Sequence, residues 1–117
     1  MGEEIALNLS AFQNKLSTTS FACFRLLFDN ARERIAQDGP LQSYELPLPL
    51  LLELDGADDI EVVAQHIRDI LECMVEMKKG EYLYFFPIFS SISIEKGVVR
   101  YTIPADIERA MPTVSFS

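Results

Sequence analysis

The chain has 117 residues, enough for one domain with a real core and too few for two. Apolar residues make up 49% and charged residues 24%, with 6 Pro and 5 Gly scattered along the chain, a globular composition that excludes a disordered or low-complexity sequence. Ten Lys and Arg stand against 18 Asp and Glu, and the resulting formal net charge of −8 is a poor footprint for a protein whose main work is neutralising phosphates.

In chain order, MGEEIALNLS is acidic where a signal peptide would be basic. The apolar runs, such as LPLPLLLEL, are broken by Pro or Glu well short of the roughly 20 residues that span a bilayer. A cytoplasmic, non-membrane protein is the expectation. Ile5, Leu7, Leu9 and Phe12 fall at near-alternate positions between Glu3 and Ser17, which suggests a short strand or an extended arm. From Thr18, Phe21, Phe24, Phe28, Ala31 and Ile35 recur at steps of three and four, one buried helical face, with Thr18 or Thr19 as cap and Gly39-Pro40 as stop. Leu41 to Leu46 reads as a short strand, and Pro49 to Leu54 as a short helix that ends at Gly56. A longer helix follows over 59–78, with Asp58 and Glu61 as a capping box, Ile60, Val63, Ile67, Ile70, Leu71 and Met74 at helical spacing, and Lys78-Lys79 at its negative end.

Tyr82 to Phe89 is apolar on both faces, as in a strand buried on both sides, with Pro87 marking an edge or a bulge. Ser91 to Thr102 folds back at Lys96-Gly97, a two-residue loop that suits a type I′ turn and sets Ile94 opposite Val99, Ser93 opposite Arg100, Ile92 opposite Tyr101 and Ser91 opposite Thr102. Ala105 to Met111 makes one or two helical turns, and 112–117 is a loose tail. Residues 1–117 thus read as a single α+β domain with its core over about 9–111.

Catalytic and metal chemistry find no foothold, so no enzyme, cofactor or small-molecule substrate is expected. His66 is the only histidine, Cys23 and Cys73 sit among apolar neighbours without ligand spacing, and the glycines read as caps and turns. DGADD lacks the alternating oxygens of a calcium loop.

The order long helix, short strand, short helix, longer helix and hairpin is a winged-helix arrangement, with the hairpin as wing in a small antiparallel sheet. Beyond that order, Tyr44-Glu45-Leu46-Pro47-Leu48 leading into Leu50-Leu51, Phe86-Pro87-Ile88-Phe89-Ser90-Ser91-Ile92, and Gly97 followed by Tyr101-Thr102-Ile103-Pro104-Ala105 resemble the first winged-helix domain of Rep3-type plasmid replication initiator proteins. The resemblance covers about 9–111. In that family a second winged-helix domain reads origin repeats while the first mediates dimerisation. It implies a homodimer, or pairing with a related initiator, through protein contacts in plasmid DNA replication or its control. It would put the contact at Tyr82, Tyr84, Phe86, Phe89, Ile92, Ile94, Val99, Tyr101 and Ile103, although at least half of these must also serve the core.

Phosphate contacts would fall to Arg68, Lys78, Lys79, Lys96 and Arg100, too few to outweigh the surrounding acids, so DNA binding by this chain alone is not expected. A different reading makes the protein an acidic adaptor or inhibitor of a basic, nucleic-acid-associated partner, using Glu53, Asp55, Asp58, Asp59 and Glu61 in place of phosphate charge.

Overall fold

Phe24, Leu27, Phe28 and Ala31, all without exposed surface, form the inner stripe of the helix around which the rest of the chain packs. In the computed structural model, which describes residues 5–56 and 59–113, this helix (α2) is Thr18–Asp38. Its cap is Ser17 rather than Thr18 or Thr19. Ser17 holds an extended backbone that aims its hydroxyl at the Ser20 N–H, 3.1 Å away. At the other end the Gly39 N–H donates to the Ile35 carbonyl, with Gly39 at φ 77°. Before α2 lie a strand, Ile5–Asn8 (β1), and a short helix, Ser10–Lys15 (α1). Phe12 of α1 is fully buried, its ring stacked 4.3 Å from Phe24, so the expected arm is part of the core.

After α2 come Tyr44–Pro47 (β2), Leu48–Asp55 (α3) and Ile60–Glu72 (α4). Asp59 caps α4 by accepting from the Glu61 N–H at 2.9 Å, whereas the expected cap, Asp58, lies outside the described residues. A 2.6 Å hydrogen bond between Ser20 Oγ and His66 Nδ1 ties α2 to α4, which makes His66 a half-buried cross-link rather than a surface residue.

The sequence led us to extend α4 to Lys78, but it stops at Glu72. Cys73 is extended (φ −83°, ψ 126°), and Met74–Lys79 is a strand (β3). Apolar spacing through Ile70, Leu71 and Met74 fits a continuing helix, but Val75 and Cys73 are both buried when the chain is extended. The backbone of β3 is paired on both sides, by β1 and by Tyr82–Pro87 (β4), in a three-stranded antiparallel sheet of order β1-β3-β4. Pairing with two strands outweighs the local helical pattern.

Ser91–Glu95 (β5) and Val98–Thr102 (β6) form the expected hairpin in the expected register and join β2 in a second antiparallel sheet of order β2-β6-β5. Its turn differs from the expected one. Gly97 has φ 77° while no described residue other than glycine has positive φ, Lys96 included, so the loop is not type I′, which needs positive φ at both central residues. The inner face of this sheet buries Tyr44, Leu46, Val99 and Tyr101 over α2, and its outer face carries Glu45, Ser93 and Arg100. Ala105–Ala110 (α5) and a 3-10 turn, Met111–Thr113, close the core with Ile107 and Met111. The start of the expected tail is therefore structured, and 114–117 lie outside the described residues. The chain is thus an α+β domain, with five α-helices and two small antiparallel sheets among the described residues.

The buried hydroxyls of the second sheet are all satisfied. Tyr101 donates to the Leu27 carbonyl at 2.6 Å and accepts from Asn30 Nδ2 at 2.9 Å. Tyr44 donates to the buried Glu108 carboxylate and accepts from the Leu41 N–H at 3.1 Å. Burial first, then the neighbouring Glu108, pushes the Tyr44 hydroxyl pKa up to about 12, and burial likewise pushes Tyr101 upward.

Candidate functional site

β4 is the most unusual surface of the molecule. Its sequence, YLYFFP, combines aromatic residues that favour strands with a complete lack of charge. The Gly80-Glu81 turn returns the chain beside β3, with Lys79 opposite Tyr82, Met77 opposite Tyr84 and Val75 opposite Phe86. Gly80 has φ 59°, the first-position geometry of a type II′ turn, which matches the twist of a hairpin. The base of this ribbon is sheltered, through buried Val75 and half-buried Phe86. Toward the tip the β4 side chains stand in water on both faces of the strand: Tyr82 is 69% exposed, Leu83 53%, Tyr84 42% and Phe85 61%. The rings of Tyr82 and Tyr84 lie together, centroids 6.3 Å apart.

The expectation that this strand is buried on both faces is therefore corrected. β4 is an edge strand, and no described element covers its outer side. Pro87 at its end suits an edge, where no ladder donor is required.

The contact residues expected from sequence separate into two groups. Tyr82 and Tyr84 are exposed on the ribbon and Phe86 is half-buried at its base. Phe89, Val99, Tyr101 and Ile103 are core residues, between 0% and 5% exposed, and have no surface to offer a partner. Phe89 sets its ring edge-on to Tyr101, with centroids 5.4 Å apart. Ile92 and Ile94 are half-buried against the same core. Leu83 and Phe85, exposed on the opposite face of β4 from Tyr82 and Tyr84, are not in the contact set that the resemblance implied.

The expected phosphate-binding cations are dispersed, and two are already engaged. Arg100 lies 2.8 Å from Glu45 and 3.0 Å from Glu95, which hold its guanidinium pKa above its ordinary value. Arg68 donates to Gln65 at 3.2 Å and sits 3.8 Å from Glu61. Lys78 is exposed on β3, which is strand and not helix end, and Lys96 is exposed in the β5–β6 turn. Lys79, on the same strand, is paired with Ile5 and Tyr82 through its backbone.

Of the acidic set, Glu53 and Glu61 are exposed on α3 and α4, Asp59 is engaged as the α4 cap, Asp55 ends α3, and Asp58 lies outside the described residues. No protein-family model, curated protein or solved structure matches the chain.

Little else on the surface offers chemistry. A cavity of about 290 Å³ is lined by Lys15, Leu16, Asp69, Glu72 and Cys73. Burial raises the Cys73 thiol pKa, which favours the unreactive protonated form. Cys23 and Cys73 are both buried and unbridged. Among the described residues no three His, Cys, Asp or Glu side chains gather as metal ligands, and no helix is long and apolar enough to cross a membrane.

Proposed function

We propose that the protein is a non-enzymatic winged-helix domain that self-associates through the β4 ribbon, in the manner of the dimerisation domain of plasmid replication initiators, and acts by protein contacts in plasmid DNA replication or its control. The observation that carries this reading is the uncharged aromatic edge strand, open along its outer side. A surface of this kind is costly to leave in water and invites pairing. The winged-helix part is supported by two close helices, α3 and α4, that follow a strand, β2, and precede the hairpin whose second strand pairs with it. The β3–β4 ribbon is then an insertion between α4 and the wing. Direct DNA binding is disfavoured because Arg68 and Arg100 are tied to acids of their own chain.

Sedimentation equilibrium over a wide concentration range, at low and moderate salt, tests the reading. The expected result is a dimer insensitive to salt, and a Tyr84→Glu variant that is monomeric with unchanged helix content. A monomer at every concentration, or a Tyr84→Glu variant that associates as well as the parent, refutes it.

A further inference from the structure

The hydrogen-bonding pattern of the ribbon restricts how a second copy can join it. In the two-residue turn the Lys79 carbonyl accepts from the Tyr82 N–H, so Tyr82 directs its backbone groups at β3, and alternation makes Tyr84 and Phe86 do the same. The backbone groups of Leu83 and Phe85 then point to the open edge. Pro87 falls in this outward class as well, but it brings only a carbonyl, since its nitrogen carries no hydrogen. Two free donors remain on the edge, two residues apart.

From this pattern we infer that two copies pair β4 against β4, antiparallel, with the two-fold axis at Tyr84; the inference rests on the self-association reading above and specifies its register. In that register Leu83 lies opposite the partner's Phe85 and exchanges both backbone hydrogen bonds with it, and the symmetric pair repeats this, so every free donor finds an acceptor. Shifting the axis to Phe85 sets the Leu83 carbonyl against the proline nitrogen and leaves it empty. Shifting it to Leu83 sets Phe85 against Glu81, which belongs to the turn. Pro87 therefore acts as a stop that selects the register.

Charge favours a second copy as the occupant. The molecule carries a net charge of −8, yet β4 holds no charged residue, so self-pairing along it brings no like charges face to face. With whole aromatic side chains offering roughly 150–250 Å² each, the exposed portions of Tyr82, Leu83, Tyr84 and Phe85 amount to about 450 Å² per copy. Covering them completely on both copies would remove at most about 900 Å² of side-chain surface, which with the paired backbone edge places the contact in the small class below about 1,200 Å². The pairing joins the two sheets into one of six strands, with Tyr84 against its own symmetry mate and Tyr82 beside the partner's Phe86.

The test is disulfide trapping in the full chain. Tyr84 occupies a non-hydrogen-bonded position in the joined ladder, where opposite Cα atoms approach to about 4.5 Å, within disulfide range. Under mild oxidation, Tyr84→Cys is expected to run mainly as a disulfide-linked dimer on a non-reducing gel. Leu83→Cys or Phe85→Cys alone stays single, because like residues then lie beyond about 7 Å, and a mixture of those two variants cross-links. The parent, with Cys23 and Cys73 buried, stays single. Efficient cross-linking of Leu83→Cys alone, or none with Tyr84→Cys while the parent sediments as a dimer, overturns the register and leaves self-association standing. A monomeric parent overturns both.

Discussion

Replacing Tyr101 by Phe removes one oxygen from the centre of the molecule and leaves the ring in place. That oxygen joins three elements: it lies on β6, donates to the Leu27 carbonyl of α2 at 2.6 Å and accepts from Asn30 at 2.9 Å, while Asn30 also reaches the Glu45 carbonyl of β2 at 3.0 Å. Two hydrogen bonds disappear together, each with a net value of about 0.5–1.5 kcal/mol. Neither partner is stranded. The Leu27 carbonyl keeps its place in the helical ladder, and Asn30 keeps Glu45. The loss therefore belongs near the lower part of the combined range, at about 1–2 kcal/mol, which corresponds to a fall in Tm of about 4–8 °C for a domain of this size. Urea unfolding followed by far-UV circular dichroism at pH 7 measures it, with parent and variant at one fixed concentration because association raises apparent stability. A variant within about 0.3 kcal/mol of the parent would refute the reasoning, since the hydroxyl would then be no better bonded in the fold than in water.

Alkaline pH should weaken the fold through the same layer. Tyr44 has its pKa raised from 10.0 to about 12, chiefly by burial, so the folded state favours the protonated phenol. Its contribution is complete below pH 10 and is lost as the pH rises through 12, with Tyr101 shifted in the same direction. Stability measured from pH 9 to 12.5 should fall over that window, and a flat profile would contradict the burial of these hydroxyls. Phe12→Ala should cost about 3–5 kcal/mol, because the ring is fully buried and stacked on Phe24. A loss under about 1 kcal/mol in thermal unfolding would mean that α1 is not docked on α2.

The β5–β6 hairpin was legible because two kinds of local information agree on it. A two-residue loop ending in Gly97 sets the register, and that register pairs Ile94 with Val99 and Ser91 with Thr102, apolar with apolar and polar with polar. Helix α2 was legible for a similar reason, with a period of three and four bounded by a polar cap and a Gly-Pro stop. The failures arose where local pattern carries two meanings. Met74 continues the spacing of Ile67 and Ile70, yet it is exposed while Cys73 and Val75 are buried, and pairing with β4 and with β1, which is distant in sequence, decides between helix and strand. The run Tyr82 to Phe86 has no polar face, which in a chain of this size normally means burial on both sides. Exposure of the same run is set by what packs nearby, and composition contains no trace of that. The candidate site was thus visible as a stretch of sequence, while its open edge and the roles of Leu83 and Phe85 were not.

The sheltered base of the ribbon also sets how it moves. Val75 and Phe86 anchor it to the core, and beyond them the ladder from Met77 to Tyr84 closes on a turn in solvent. Opening from the tip exposes little new apolar surface, so it takes far less free energy than global unfolding. Amides of the outer ribbon will exchange with solvent much sooner than those of β6 or α2, and a mate bound along β4 would slow the Leu83 and Phe85 amides, which face the open edge that no other described strand pairs.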